Sequence, residues 1–343
     1  MNVKHQLRMT VLGSGSWGSV LADVLARNGH AITIYGRNAQ EIAEINRDHT
    51  NTHYIPNLQM DESIVGTTDL REAVQGAAAI FFVIPTQAIR PVAEKVGAFL
   101  SETGNRPFLI SAAKGLEEGT LDRISQILTQ SIPQPVRGDV VILSGPSHAE
   151  DVAKHDITTL TAASENEDAA AWVQWIVMND YMRIYTSTDV TGVELGGAIK
   201  NVIAIGAGAI HGLGYGDNTK AALMTRGLAE MARLGVQFGA DPLTFSGLSG
   251  LGDLIVTCTS TNSRNWRCGD RLGRGEPLEH ILATMGMVVE GVPTAQAVHT
   301  LSAQMHVDMP ICDTIYQVLY RDRPLQESID ALMQRIAKPE IDF

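Results

Sequence analysis

A glycine-rich turn set between a short apolar run and an amphipathic helical pattern constrains this chain more than any other feature. Met9–Leu12 is apolar, Gly13-Ser14-Gly15-Ser16-Trp17-Gly18 follows, and Trp17, Val20, Leu21, Val24 and Leu25 then recur at helical spacing. Gly29 stands where a helix C-cap glycine belongs, and Ala31–Tyr35 reads as a second strand. A GxGxxG turn that closes one strand and opens a helix has the context in which the pattern carries meaning. Its first glycine permits the tight turn, the second admits a pyrophosphate to the backbone, and the third lets helix pack on strand. The helix N-terminus adds unpaired N–H groups and the positive end of a dipole.

The alternation continues. Strand-like runs at Ile64–Thr68, Ala79–Ile84, Phe108–Ala112 and Val140–Leu143 alternate with helical segments, and Ile157–Ala162 and Met182–Thr186 flank a helical Asp168–Val177. Each parallel connection needs a crossover, so this order predicts an α/β fold with a Rossmann-like, doubly wound, mostly parallel sheet. From about Asp189 the texture changes, and helical stretches dominate at Val190–Ile210, Asn218–Leu234, Gln296–Leu301 and Cys312–Tyr320. The predicted organisation is a dinucleotide-binding domain over residues 1–188 and a mostly α-helical substrate-binding and catalytic domain over 189–343.

Composition narrows the partners. Lys plus Arg number 26 against 38 Asp plus Glu, and the net charge of −12 argues against duplex nucleic acid or an anionic membrane. At 44% hydrophobic residues the chain is neither disordered nor membrane-like. Its most lipid-like stretch, Val202–Ile210, is bounded by Lys200-Asn201 and His211 and reads as about half a membrane span. The N-terminus runs into the first strand without an apolar signal segment. Cys258, Cys268 and Cys312 make no CxxC spacing, and the ten histidines make no HExxH. Neither a disulfide framework nor a metal site is expected, and a soluble cytoplasmic protein acting on a small molecule is.

Candidate chemistry gathers at predicted strand ends and in the helical half. Tyr35-Gly36-Arg37-Asn38 closes the second strand without the acid that would take the ribose 2′-hydroxyl of NAD. Arg37 suits a 2′-phosphate instead, so NADP(H) is the expected cofactor and NAD(H) the alternative. Lys114 follows the fifth strand, and Ser144-Gly145-Pro146-Ser147 the sixth, at the sheet edge where ligands bind. In the helical half Lys200 lies among Gly196, Gly197, Ala198, Ile199 and Ile203, a costly place for a charge unless partnered. Partial desolvation would bring its pKa toward the acid/base range, and Asp253 is the expected partner. Thr257–Asn265 reads as a polar loop in which Ser263, Arg264 and Asn265 suit a phosphate monoester. Glu290, in Val288-Val289-Glu290-Gly291, can accept from a ribose or an amide, or cap a helix. Taken singly, each has a plainer reading as a snorkelling lysine, a surface arginine or a capping carboxylate.

Taken together, in order and over nearly the whole chain, these motifs resemble the NAD(P)-dependent sn-glycerol-3-phosphate dehydrogenase family of the bacterial biosynthetic type. The resemblance rests on Gly13–Gly18, Ala113-Lys114-Gly115, Ser144–Ser147, Glu194–Asn201, Gly216-Asp217-Asn218, Gly250–Asp253, Ser263–Asn265 and Val289-Glu290-Gly291. It implies that Gly13, Gly15, Ser16, Trp17, Gly18, Arg37 and Ala149 meet the cofactor, with Val288 and Glu290 at its nicotinamide side. It implies further that Lys114 and Arg264 touch both cofactor and substrate, and that Gly145, Ser147, Ser263 and Asn265 bind substrate. Lys200 is then the acid/base for reduction of dihydroxyacetone phosphate to sn-glycerol 3-phosphate, with Asp253 beside it and Lys114 in electrostatic support. A homodimer and a supply of glycerol 3-phosphate for phospholipid synthesis are implied as well. Two departures bear on pocket shape: His148 stands where the family usually has Phe, and Trp266 where Arg or Tyr is commoner. Two rival readings stay open at this point. One is a two-domain dehydrogenase of β-hydroxyacids or nucleotide sugars, the latter needing Cys258 as nucleophile. The other is a dinucleotide sensor without chemistry, against which the joint presence of Lys114, Lys200 and Asp253 weighs.

Overall fold

Among the described residues, eight strands form one sheet: β1 (Arg8–Leu12), β2 (Ala31–Tyr35), β3 (Val65–Thr67), β4 (Ala79–Phe82), β5 (Phe108–Ser111), β6 (Val140–Ser144), β7 (Thr158–Ala163) and β8 (Met182–Ser187). The computed structural model describes residues 6–337, 339 and 340. Across the sheet the order is β3-β2-β1-β4-β5-β6-β7-β8, parallel throughout except for the β6–β7 pair. The chain builds outward from β1 to β3, then crosses to β4 on the other side, so the order reverses between β1 and β4. Ligand crevices in open α/β sheets form at such a reversal, beyond the carboxyl ends of the strands.

Strand composition explains the double covering. Met9, Val11, Ala79, Phe81 and Ile110 enter one buried cluster with α1 (Ser16–Arg27), while Leu12, Ile80, Phe82 and Leu109 enter another with the helix Ile89–Thr103. Successive residues of a strand point to opposite faces, so near-continuous apolar runs are what a sheet covered on both sides requires. A second helix, α2 (Ala39–Asp48), carries the chain from β2 toward β3 and buries only Ile42 and Ile45.

The second structural unit is helical and is organised around α3 (Val190–Gly212). Around it lie α4 (Asp217–Gln237), α5 (Asp253–Thr259), α6 (Arg264–Gly273), α7 (Gly291–Gln304) and α8 (Pro310–Tyr320). Leu195, Ala198, Ile199, Val202, Ile203 and Ala204 are all buried, so α3 is apolar on every side, as a core helix must be. Small residues let α6 touch its backbone: a Cβ on Gly208 would lie 1.9 Å from the Trp266 carbonyl oxygen, and one on Gly269 equally close to that of Ile205. By length and composition α3 could cross a bilayer, yet its apolar window is wholly buried inside the protein. The apolar window is thus longer than the Val202–Ile210 stretch, because it runs through Lys200 and Asn201, where the ammonium is met by a carboxylate.

The two units are not separated by a single cut near residue 188. The first comprises Met1–Lys114 and Ile124–Val190, the second Gly115–Arg123 and Thr191–Phe343. The excursion has a physical cause. Leu116, 1% exposed, joins the helical core with Leu195, and Leu121 packs on it. Arg123 Nη1 donates to Glu194 Oε2 at 2.5 Å, and residues 116 and 123 form an antiparallel bridge.

Candidate active site

Each unit carries a group of candidate residues. In the first, the three glycines of the turn answer to three different steric demands. Gly13 has φ of +120°, and a Cβ there would lie 2.3 Å from the Val83 carbonyl oxygen. A Cβ on Gly18 would lie 1.9 Å from the Gly13 carbonyl oxygen, so α1 sits directly on the turn. Gly15 differs: nothing lies within 4 Å of the position its Cβ would take. Open space against the backbone at the N-terminus of a helix is the cradle a pyrophosphate needs, and the residues fit a dinucleotide there. Trp17 packs partly buried against the core below.

The turn is braced from residues 51–54, a feature the sequence reading missed. Asn51, fully buried, donates from Nδ2 to the Ser14 carbonyl at 2.6 Å and to Ser19 Oγ at 2.9 Å. Ser16 Oγ donates to the Tyr54 carbonyl at 3.0 Å. At the end of β2, Arg37 is exposed, and Asn38 caps α2 by accepting the Gln40 N–H at 3.0 Å. Glu41, in the first turn of α2, accepts from Asn38 Nδ2 at 3.0 Å and from Ser14 Oγ at 3.4 Å.

The neighbouring ends of β5 and β6 bring Lys114, Gly145 and Ser147 together. Lys114 Nζ donates to the Gly145 carbonyl at 2.9 Å, and Ser147 Oγ donates to the same oxygen at 3.2 Å. Gly145 takes φ of +139°, where its Cβ would press on Leu160 at 3.1 Å. His148 stands at the N-cap of the short helix Ala149–Val152, and Ala149 is buried.

In the second unit α3 presents Lys200 to α5. Lys200 Nζ lies 2.7 Å from Asp253 Oδ1 and 2.7 Å from Thr257 Oγ1, and all three residues are buried. Thr257 donates its own proton to the Asp253 backbone carbonyl at 2.6 Å, which leaves its oxygen as an acceptor toward Lys200. Thr257 was read only as part of a polar loop. The segment is instead a helix, a turn and a helix: α5 runs to Thr259 and α6 begins at Arg264. The available signal was the i, i+4 spacing of Asp253 and Thr257, which puts both on one face of α5.

Ser263 is the N-cap of α6, its Oγ accepting the Trp266 N–H at 3.2 Å. Asn265 is held from both ends, donating to Asn201 Oδ1 at 2.8 Å and accepting from the Gly291 N–H at 2.8 Å. Arg264 is drawn to Val288, donating from Nη1 to its carbonyl at 3.0 Å, and Glu290 is the N-cap of α7. Trp266 is 8% exposed, its ring 4.8 Å from that of His211, so it serves the helical core. Cys258 is fully buried and burial pushes its thiol up to about 12, the opposite of what a nucleophile needs. The nucleotide-sugar reading thereby loses its candidate nucleophile.

Comparison with known proteins finds matches over almost the whole chain. The family model described as NAD-dependent glycerol-3-phosphate dehydrogenase N-terminus matches residues 8–170, and the corresponding C-terminus model matches residues 189–330. The chain is 58% identical over 337 residues to a glycerol-3-phosphate dehydrogenase (NAD(P)+) of Latilactobacillus sakei, covering 98% of this chain and 99% of that relative. It is 56% identical over 336 residues to the protein of the same name from Enterococcus faecalis, covering 98% of each. The crystal structure of glycerol-3-phosphate dehydrogenase from Coxiella burnetii superposes with a TM-score of 0.91 at 32% identity, covering 96% of this chain and 99% of that one. With both halves matched and relatives this similar over almost their full length, the chain belongs to the NAD-dependent glycerol-3-phosphate dehydrogenase family.

Proposed function

We propose that this protein interconverts dihydroxyacetone phosphate and sn-glycerol 3-phosphate with NAD(P)(H), and that Lys200 is its general acid/base. The observation that carries the reading is the buried Lys200–Asp253–Thr257 group, in a chain whose other unit has a glycine turn fitted to a dinucleotide. When bound, the nicotinamide supplies the hydride that reduces the ketone carbon. Lys200 Nζ gives a proton to the ketone oxygen as it becomes an alkoxide, and takes one back in the reverse direction. Asp253 Oδ1 and Thr257 Oγ1 fix the position of Nζ, since each accepts from it. Lys114, oriented by its bond to the Gly145 carbonyl, adds electrostatic support to the reaction.

The start of α6 holds the substrate phosphate. Arg264 offers a guanidinium fork there, with the N–H groups of the helix terminus beside it, and Ser263 and Asn265 complete the set. Binding energy at the phosphate positions the distant carbonyl for reaction. Gly145 and Ser147 line the substrate region. Ser16, Trp17, Arg37, Ala149, Val288 and Glu290 contact the cofactor, and Arg37 favours NADP(H) through its 2′-phosphate. Three buried free thiols suit a reducing cytoplasm. The homodimer and the supply of glycerol 3-phosphate for phospholipid synthesis rest on family resemblance.

The test is the loss of reduced-nicotinamide absorbance on mixing purified protein with dihydroxyacetone phosphate and either NADPH or NADH. Oxidation that depends on the phosphorylated ketone supports the reading. Measurable NADPH binding with no oxidation by either cofactor overturns it.

A further inference from the structure

We propose that Glu41 is a specificity-determining residue for the adenosine end of the cofactor, and that it keeps any preference for NADP(H) over NAD(H) narrow. The inference rests on the dinucleotide reading of the glycine turn and goes beyond it by naming the side chain that admits NAD(H). In dinucleotide-binding sheets an acid about 20 residues beyond the glycine turn, at the end of the second strand, takes the ribose 2′-hydroxyl. The strand end here, Tyr35-Gly36-Arg37-Asn38, has an arginine and no acid, a pattern that by itself reads as selective for a 2′-phosphate.

The fold delivers a carboxylate to that edge by another route. Glu41 stands in the first turn of α2, where Asn38 Nδ2 donates to its Oε1 at 3.0 Å and Ser14 Oγ to its Oε2 at 3.4 Å. Ser14 lies between the first two glycines of the turn, and Asn38 directly follows Arg37. The carboxylate therefore bridges the glycine turn and the strand end, the two elements between which an adenosine ribose is held in folds of this kind. Gly36 keeps these elements in contact, since a Cβ there would lie 2.4 Å from Ser14 Oγ.

Charge sets the consequence. A 2′-phosphate carries about −1.5 to −2 at neutral pH, and Arg37 meets it with a single positive charge that Glu41 offsets. A 2′-hydroxyl brings a proton to donate, and a carboxylate is an acceptor for it. Glu41 is half-buried, so water screens part of the repulsion, and the discrimination it opposes is a modest factor.

Binding, measured without substrate, tests this. The full chain and its Glu41→Gln and Glu41→Ala variants are titrated with NADPH, NADH, 2′,5′-ADP and 5′-AMP. Glutamine keeps the side-chain length and an oxygen for Asn38, so the helix cap persists in that variant. The ratio of NADPH to NADH affinity is expected to rise about 5-fold or more in both variants, with 2′,5′-ADP tightening relative to 5′-AMP by a similar factor. A merely structural lesion weakens both dinucleotides alike and leaves the ratio where it was. An unmoved ratio, or one that moves toward NADH, overturns the role of Glu41 while the dinucleotide reading stands. Failure of the unaltered chain to bind either dinucleotide overturns both.

Discussion

Lys200 Nζ lies 2.7 Å from Asp253 Oδ1, with the two side chains only 7% and 2% exposed. An ammonium and a carboxylate are each expensive to bury alone, and a pair with a third polar partner offsets much of that cost. Thr257 is that partner. The group is therefore part of the fold as well as of the candidate chemistry, and experiment can separate the two.

Removing one member of the pair should destabilise the protein more than removing both. Asp253→Ala leaves the Lys200 ammonium buried without its carboxylate and is expected to cost about 3–5 kcal/mol. Adding Lys200→Met to that variant should recover a large part of the loss. Denaturant unfolding reads both, and a double variant no more stable than the single one would show that the charges are not coupled.

Kinetics should divide Lys200 from Arg264. Lys200→Ala is expected to lower kcat by about 100-fold or more, because on the proposed mechanism it removes the proton donor. Arg264→Ala should act mainly on KM for the phosphorylated substrate, and Arg264→Lys should restore only part, since an ammonium lacks the guanidinium fork. An Arg264→Ala enzyme with unchanged KM and a collapsed kcat would remove the phosphate from this site.

Two glycines of one turn should respond in opposite ways to the same added methyl. Gly18→Ala drives a carbon to within 1.9 Å of the Gly13 carbonyl oxygen, so thermal stability should fall. Gly15→Ala places it in open space at an ordinary φ of −73°, so the fold should persist while dinucleotide affinity drops at least about 10-fold. Thermal melts paired with NADPH titration decide the matter, and a Gly15→Ala protein that binds NADPH normally would contradict the cradle.

The sheet and the glycine turn were legible because their signals are local: an apolar run, a turn, a helical period, repeated along the chain. Lys200 was legible for a related reason, since a lysine among glycines and branched aliphatics demands a partner wherever it lies. What escaped was set by distant contacts. The bond from Arg123 to Glu194 joins residues no spacing rule connects. Asn51 braces Ser14 from a segment without a motif. Glu41 is not legible from the strand end, because its carboxylate reaches Ser14 from the first turn of the helix that follows. Ser263 and Asn265 looked like free donors in a loop, and both prove to be tied into helix caps and neighbouring backbone.

Glu230 should give the fold a pH dependence. It lies on α4, 2% exposed, and its two oxygens accept the N–H groups of Ile311 at 2.7 Å and Cys312 at 3.0 Å. Burial outweighs these bonds and raises its carboxyl from 4.5 to about 7. Between those values the folded protein holds a proton that the unfolded chain has released. Its contribution is therefore fully present below pH 4.5 and is lost as pH rises toward 7, by at most about 1.4 kcal/mol per pH unit. Unfolding free energies measured at mildly acidic and mildly alkaline pH should differ more for the native chain than for Glu230→Gln. Equal differences would mean that Glu230 is not the group responsible.

The excursion of Gly115–Arg123 into the helical unit also bears on how the chain is made. This hairpin leaves the ribosome well before α3, so Leu116 and Leu121 wait for the helix that will cover them. Neither half is a self-sufficient stretch of gene. A fragment ending near residue 188 carries two leucines and an arginine meant for another core, and a fragment starting at 191 strips Glu194 of Arg123. An independently folding helical half would need residues 115–123 grafted onto it, because a piece of its core is encoded inside the sequence of the first unit.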